Sequence, residues 1–159
     1  MDGAAGEIGH IPMRDDEEES CGCGKKGCLE QYASANGIVR ITKRYLKKHS
    51  EIDSVLRKKE SYTSKEIFEE AKKGDKAALH MVDEVGKMLG KALAAISCVV
   101  NPEAFVIGGG MSKAGDILLE AIKKYYKKYA FHAARNTTFK FALLSNNAGI
   151  YGAVKLVLE

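Results

Sequence analysis

Three cysteines and one histidine near the start of the chain form its clearest chemical pattern. Ten residues separate His10 from Cys21, and Cys23 and Cys28 follow closely, with glycines beside them that allow tight turns. Structural zinc sites take four such ligands in a tetrahedron, and three thiolates with one imidazole leave no coordination position open. We predict a structural Zn²⁺ site on these four residues. The alternative is a set of unrelated reduced thiols in a flexible loop.

Cysteine usage and the first nine residues of the sequence indicate the cellular compartment. Cys98 lies alone in an apolar helical stretch, and we expect it to be a small buried hydrophobic residue. Cytoplasmic proteins rarely use disulfides, which favours a metal site for the clustered thiols. The segment from Met1 to Gly9 has neither the basic nor the apolar region of a secretory signal, so we predict a cytoplasmic protein.

Composition and charge argue against several classes of function. The 159 residues are 45% hydrophobic and 29% charged, and no apolar run approaches the roughly 20 residues of a membrane helix. The net charge of +4 comes from lysines spread over predicted helices, without interleaved aromatic residues. This is typical of solvated helix faces, so we predict no nucleic-acid and no membrane contact for this segment. The acidic run from Asp15 to Glu19 is interpreted as a solvated loop.

Hydrophobic spacing in the first hundred residues predicts helices. The helical pattern begins at Ser34, and a further short helix is predicted around 52–56. Thr63 to Glu66 has the pattern of a capping box, and Gly74 followed by Asp75 separates two helices. The longest helix ends at Asn101-Pro102. Its predicted apolar stripe consists of Ala78, Val82, Val85, Leu89, Leu93, Ile96 and Val100.

The rest of the chain is predicted as strand, helix, strand and helix. This order implies a right-handed crossover and a parallel strand pair. Gly108 to Gly110 then lies at the carboxyl end of a buried strand, where open α/β sheets bind ligands. No Lys-Ser or Lys-Thr follows, and a glycine triplet alone favours a plain turn. The predicted elements are Glu103 to Ile107, Ala114 to Tyr129, Phe139 to Leu144 and Gly149 to Leu158. Two strands are too few for a stable sheet, so we expect part of a larger α/β domain.

Three motifs together resemble a known family. The first is Gly6-Glu7-Ile8-Gly9-His10 followed by the cysteine cluster and Leu29-Glu30. The second runs from Asn101-Pro102 to Gly108-Gly109-Gly110-Met111-Ser112, and the third is Asn147 to Ala153. In this order they resemble the ROK family, which groups repressors, open reading frames and sugar kinases. The resemblance extends from Ala5 to about Leu158, and its first motif is the most specific.

The resemblance implies an actin-like, hexokinase-like (ribonuclease H-like) α/β fold, with a sugar and nucleotide cleft between two lobes. It implies that Glu7, His10 and Glu30 bind the sugar, and that Gly108, Gly109 and Gly110 approach the nucleotide. The chemistry agrees, because a carboxylate accepts hydrogen bonds from paired hydroxyls and a zinc-bound imidazole has its other nitrogen fixed as a donor. Without the resemblance, Glu7 is equally an exposed loop acid and Glu30 a helix N-terminal charge. For the complete kinase the resemblance implies ATP, Mg²⁺ and a homodimer.

The resemblance also predicts what these residues lack. ROK kinases carry an N-terminal Asp-x-Gly-Gly-Thr segment, and a catalytic Asp that follows an Asn ahead of the GEIGH motif; neither occurs here. Phosphoryl transfer needs positioned phosphates, a metal and a base. We therefore expect the C-terminal half of a sugar kinase, with no catalytic residue and no activity alone. Its expected parts are a zinc and sugar-binding loop over residues 1–30 and the helical and α/β part of the lobe over residues 31–159.

Two other functions stay open at this point. One is the effector-sensing half of a ROK transcriptional repressor, which an upstream helix-turn-helix would identify; the glycine triplet favours the kinase. The other is a dimerisation module without a ligand. Among kinase substrates glucose is the default, and N-acetylmannosamine, N-acetylglucosamine, mannose and fructose are the alternatives.

Overall fold

The computed structural model describes residues 3–144 and 147–158, which fold mainly into helices. Within these residues two short strands pair, and four short 3-10 turns join the longer elements. The helices are α1 (Glu30–Ala33), α2 (Ala35–Lys48), α3 (Ser64–Lys72), α4 (Lys76–Val100), α5 (Asp116–Tyr129) and α6 (Ala148–Leu158). The strands are β1 (Ala104–Ile107) and β2 (Thr138–Phe141), and the 3-10 turns are Ile8–His10, Val55–Lys58, Gly110–Ala114 and His132–Ala134.

Side-chain caps determine where three of the helices begin. Ser34 accepts a hydrogen bond from the first turn of α2, which confirms the predicted start. The capping box of Thr63 and Glu66 is confirmed, since each side chain accepts a hydrogen bond from the other residue's backbone. Asp75 caps α4 after Gly74 turns the chain at φ 93°. The short helix predicted near residue 55 is a 3-10 turn.

The main core lies where α4 and α5 pack together. Leu118, Ile122 and Tyr126 of α5 are fully buried there. Burial of an apolar side chain of this size stabilises a fold by about 1.5–3 kcal/mol. A Cβ on Gly86 would lie 2.5 Å from the Cβ of Ala121, so only glycine permits this helix–helix distance.

Two predictions for these helices are wrong in part. The stripe of α4 does not extend to its end, because Val100 is 63% exposed. Cys98 is also exposed rather than a buried hydrophobic residue. On α5 the buried tyrosine is Tyr126, whereas Tyr125 is half-buried. In each case the residue spacing identified an apolar face, but it did not show which residues of that face are buried by neighbouring elements.

The predicted parallel strand pair is confirmed. β1 and β2 pair from Ala104 with Thr138 to Ile107 with Phe141, and α5 forms the crossover between them. Both strands are shorter than predicted. β1 is not buried on both faces, since Val106 is 63% exposed. The inward face packs the rings of Phe105 and Phe139, whose centroids lie 5.4 Å apart, against α5.

The last helix, α6, was predicted one residue shorter and stands apart from the core. All of its residues are exposed, including Ile150, Tyr151, Leu156 and Val157. Among the described helices, none combines the length and the apolar character that crossing a membrane requires. The observed fold is therefore helix-rich, with its two strands in the second half of the chain and a main core to which α2, α3, α4 and α5 all contribute.

Candidate functional site

The segment before α1 is a loop whose two limbs are joined by backbone hydrogen bonds. The N–H of Met13 donates to the carbonyl of Gly27 at 2.7 Å. Gly27 has φ 73°, and a Cβ there would lie 1.7 Å from the carbonyl oxygen of Arg14. Glycine is therefore required where the limbs meet. This contact brings the limb that carries His10 beside the limb that carries Cys28.

The structure brings together His10, Cys21, Cys23 and Cys28. One donor atom from each residue lies within 4.8 Å of the others. Cys21 Sγ is 3.6 Å from His10 Nδ1, and Cys23 Sγ is 3.6 Å from Cys28 Sγ. Zinc–sulfur bonds of about 2.3 Å at tetrahedral angles separate two ligand atoms by about 3.8 Å, so the spacing fits such an ion. All four cysteines of the chain lie in the described part, and none forms a disulfide.

Two carboxylates flank the ring of His10. Its Nε2 lies 3.7 Å from Glu7 Oε2, and its Nδ1 lies 3.8 Å from Glu30 Oε1. Because Nδ1 also faces Cys21, it is the nitrogen directed at the cysteine cluster, and Nε2 is directed at Glu7. Both carboxylates are accessible to solvent. The three residues that the resemblance assigns to the sugar therefore lie around one imidazole.

The thiol of Cys21 donates a hydrogen bond to Glu30 Oε1 at 2.8 Å. A backbone hydrogen bond from Cys23 favours the thiolate, but the Glu30 carboxylate and burial outweigh it and raise the pKa of Cys21 to about 12. Burial also raises the pKa of Cys28. A metal takes cysteine as the thiolate, so its binding would remove the proton that joins Cys21 to Glu30 and leave Glu30 able to accept other donors.

The acidic run is not a uniformly solvated loop, contrary to our interpretation of the sequence. The Glu17 side chain is 2% exposed, and it accepts hydrogen bonds from Tyr32 at 2.7 Å, Arg40 at 2.9 Å and Arg44 at 2.8 Å. Burial alone would raise the pKa of Glu17, but the donors from Arg40 and Tyr32 hold it well below its usual range. The sequence signal for this contact is the spacing of Arg40 and Arg44, one turn apart on α2.

The glycine triplet lies at the carboxyl end of β1, where the order of elements predicted it. Gly108, Gly109 and Gly110 are exposed, and Gly109 has φ 73°. A Cβ on Gly109 or Gly110 would meet nothing within 4 Å. Packing therefore does not require these two glycines, and the backbone at this strand end is open to close approach by a ligand.

Several known proteins are similar to this chain in sequence, in fold or in both. Glucokinase of Halalkalibacterium halodurans is 43% identical over 162 residues, which cover all of this chain and 49% of that protein. The crystal structure of a ROK family glucokinase from Streptomyces griseus, in complex with glucose and AMPPNP, superposes with a TM-score of 0.83 at 32% identity, covering 96% of this chain and 51% of that one. The DNA-binding transcriptional dual regulator NagC of Escherichia coli is 35% identical over 133 residues, which cover 84% of this chain and 32% of the regulator.

These comparisons establish the family. The chain belongs to the ROK family, whose family model matches residues 1–159. This confirms the resemblance that the three motifs indicated. The chain spans about half the length of the glucokinases it matches, in agreement with the prediction of one half of a ROK protein.

Proposed function

We propose that this chain is the sugar-binding half of a ROK-type, ATP-dependent sugar kinase that phosphorylates a hydroxyl of a hexose. The observation that carries the proposal is the grouping of Glu7, His10 and Glu30 around one imidazole beside the cysteine cluster. The identity to glucokinases supports the kinase class. Glucose is the proposed hexose, supported by the glucose complex of the similar Streptomyces griseus enzyme.

The metal of this site is proposed to be one structural Zn²⁺ held by His10, Cys21, Cys23 and Cys28. The donor separations and the closed set of four ligands support this assignment. Zinc would supply no reaction chemistry, but it would cross-link the two limbs of the loop. With Nδ1 of His10 directed at the metal, Nε2 carries the proton and can donate to a sugar hydroxyl.

The carboxylates would complete sugar recognition. Glu7 and Glu30 each offer oxygens that can accept from hydroxyl groups, and charge-assisted hydrogen bonds of this kind are about twice as strong as neutral ones. In the proposed division of the chain, residues 1–30 form the zinc and sugar-binding loop. Residues 31–159 form the helical and α/β part of the kinase lobe.

The nucleotide is proposed to lie against Gly108, Gly109 and Gly110. Their exposure at the carboxyl end of β1 supports close approach of the backbone to a ligand. ATP with Mg²⁺ is the proposed phosphoryl donor of the complete kinase, and the AMPPNP bound to the similar glucokinase supports the nucleotide. These residues contain neither an Asp-x-Gly-Gly-Thr segment nor an Asn-Asp pair. We therefore propose that no catalytic residue lies in this chain and that it is inactive alone.

A ROK repressor is the second candidate, because NagC is 35% identical over most of the chain. In that case the same loop would sense a sugar effector, and a helix-turn-helix in the remaining part of the protein would bind DNA. This segment itself is proposed to contact neither nucleic acid nor membrane. A cytoplasmic homodimer is proposed in both cases; the free thiols support the compartment, and the exposed apolar face of α6 supports association.

Calorimetric titration of the zinc-loaded chain with glucose tests sugar binding. Glu7→Gln should weaken binding about tenfold or more, because it removes a charged acceptor. Glu18→Gln is the matched control, since Glu18 is exposed and has no partner among the described residues. Absence of heat with glucose and with the alternative hexoses, in a chain that still dimerises, would favour a dimerisation module.

A coupled assay of glucose-dependent ATP turnover tests the assignment of half a kinase. The purified chain should show no activity above the buffer blank. Robust turnover by the chain alone would contradict the proposal that its catalytic base lies elsewhere.

A further inference from the structure

The acidic run connects the two limbs that carry the metal ligands. Glu17 lies between His10 on one limb and Cys21 on the other, and its side chain is the most buried of the run. Arg40 and Arg44 reach it from α2, one from each of two successive turns. Tyr32, two residues after Glu30, donates from α1. We call Glu17, Tyr32, Arg40 and Arg44 the carboxylate clamp.

The clamp is joined to the cysteines by a second set of hydrogen bonds. The side chain of Gln31 accepts from the backbone N–H of Cys28 at 3.0 Å and donates to the carbonyl of Glu19 at 2.9 Å. Arg40 donates to the carbonyl of Gln31 at 3.0 Å and to Glu19 Oε2 at 2.8 Å. One guanidinium group therefore contacts a residue on each side of the cysteine cluster, through the side chain of Glu19 before it and the backbone of Gln31 after it.

Hydrogen bonds, more than packing, determine the position of Glu17. Glu17 is also one of the residues that line a cavity of about 260 Å³, together with Arg14, Tyr45, Glu84 and Met88. Arg40 Nε is buried and has no hydrogen-bond partner among residues 3–144 and 147–158, a cost that the other contacts of Arg40 must offset. The carboxylate accepts from Arg40, Arg44, Tyr32 and the backbone N–H of Glu19, and we expect it to move when the side-chain donors are lost.

We propose that Glu17 is a positioning residue for the metal loop. Its buried carboxylate, bound by Arg40, Arg44 and Tyr32, holds residues 15–20 against α2, so that Cys21 meets His10 and Cys28 before a metal arrives. The inference rests on the metal site of the proposed function. No residue of the clamp is proposed to bind the metal or to contact the sugar. The clamp acts by reducing the conformational entropy that the loop loses when the metal binds.

Metal affinity of the whole chain tests the proposal, by competition between the protein and a chromophoric zinc chelator. Glu17→Gln keeps the shape of the side chain and removes its charge. We expect it to weaken zinc binding roughly tenfold to a hundredfold, the usual effect of losing an outer contact of a metal site. Glu18→Gln removes the same charge one residue away, from a side chain without partners, and should bind zinc as the unaltered chain does.

Two further readouts separate positioning from a general loss of stability. Co²⁺ in place of zinc should give the unaltered chain the absorption bands of a tetrahedral thiolate site, and Glu17→Gln should weaken or shift them. At the temperature of the binding assay, the metal-free protein should show the same helix signal for both variants, so that a loss of zinc affinity does not reflect unfolded helices. Equal zinc affinity and equal Co²⁺ spectra for Glu17→Gln and the unaltered chain would overturn the proposal.

Arg44→Lys provides the second variant in case Glu17→Gln does not fold. It keeps a charge at a partly exposed position but loses the planar guanidinium, whose Nη1 donates to both oxygens of Glu17 while its Nε lies 3.7 Å from Glu19 Oε1. We expect a smaller loss of zinc affinity in the same direction, and unaltered affinity would count against the clamp. An unaltered chain that takes up no zinc would overturn the metal site and the clamp together.

Discussion

The metal loop of residues 7–30 and the pair of helices α4 and α5 are held together by different forces. The loop depends on four convergent donor atoms, a buried carboxylate with its arginines, and a glycine that lets two limbs touch. The helix pair depends on apolar side chains and on glycines that allow close approach. A region without a large apolar core needs polar cross-links, and each polar cross-link can be removed chemically without disturbing the helices.

Zinc removal should produce the largest difference in response between the loop and the helix pair. Because the binding free energy of a structural zinc is largely folding free energy, on the order of 10 kcal/mol, chelation should release the turn that carries Cys21, Cys23 and Cys28. Hydrogen exchange followed by mass spectrometry should show loss of protection over residues 21–28, with the centres of α4 and α5 unchanged. Equal loss of protection in both regions would mean that the loop and the helices form one cooperative unit.

Gly27→Ala should disrupt the loop next most strongly. The new Cβ would lie 1.7 Å from a backbone oxygen at a residue with φ 73°. We expect zinc affinity to fall by roughly a hundredfold, or about 3 kcal/mol. Gly24→Ala is the matched control, since Gly24 has φ 84° but open space around it. This variant should weaken zinc binding by only about 1 kcal/mol. Equal effects of the two variants would show that backbone conformation, not the contact between the limbs, limits metal binding.

Gly86→Ala should destabilise the helix pair and leave the loop intact. Its Cβ would lie 2.5 Å from that of Ala121, and overpacking of this kind costs about 1–3 kcal/mol. Gly152→Ala in α6 meets no neighbour within 4 Å, so helix propensity should make it neutral or slightly stabilising. Chemical denaturation measures both variants. A loss of zinc affinity as large for Gly86→Ala as for Gly27→Ala would contradict the separation of the two regions.

Acid should produce the smallest of these effects, and it should act on the loop. The native pKa of Glu17 lies below its ordinary value of 4.5, so the unfolded state binds the proton more readily. The stability from this group is therefore complete above its unfolded pKa and is lost as the pH falls towards its native pKa. Unfolding free energies of the metal-free chain, from neutral pH down to about pH 3, should fall less steeply for Glu17→Gln than for Glu18→Gln. Parallel curves would show that the carboxylate contributes nothing.

The features that could be predicted from sequence are those decided by near neighbours or by strand order. The capping box of Thr63 and Glu66 spans a single turn, and the parallel pairing of β1 and β2 follows from the crossover between them. The cluster of His10, Cys21, Cys23 and Cys28 could be predicted because residue type and glycine density restrict what the segment can do, and its role as a zinc site stays a proposal. The roles of Glu7, Glu30 and Gly108 to Gly110 came from the resemblance, and they stay predictions.

The features that could not be predicted depend on which side chains are buried by distant parts of the chain. Glu17 and Glu18 are the same residue type in one acidic run, yet one is buried, because two arginines of α2 happen to face it. Val100 and Cys98 continue the apolar pattern of α4 beyond the point where other elements cover it. Periodicity identifies an apolar face, but the extent of its burial depends on contacts between distant parts of the chain.

The order in which the chain is synthesised determines when the contacts of the clamp can form. Glu17 leaves the ribosome 27 residues before Arg44, its partner on α2. Leu29 and Tyr32 pack against Met88 and Ala92 of α4, which are made later still. At about 5–20 residues per second, the metal ligands of the nascent chain wait several seconds for the surfaces that support them. The loop is therefore synthesised before the surfaces that hold it in its final position, and we expect its thiols to stay accessible during that interval.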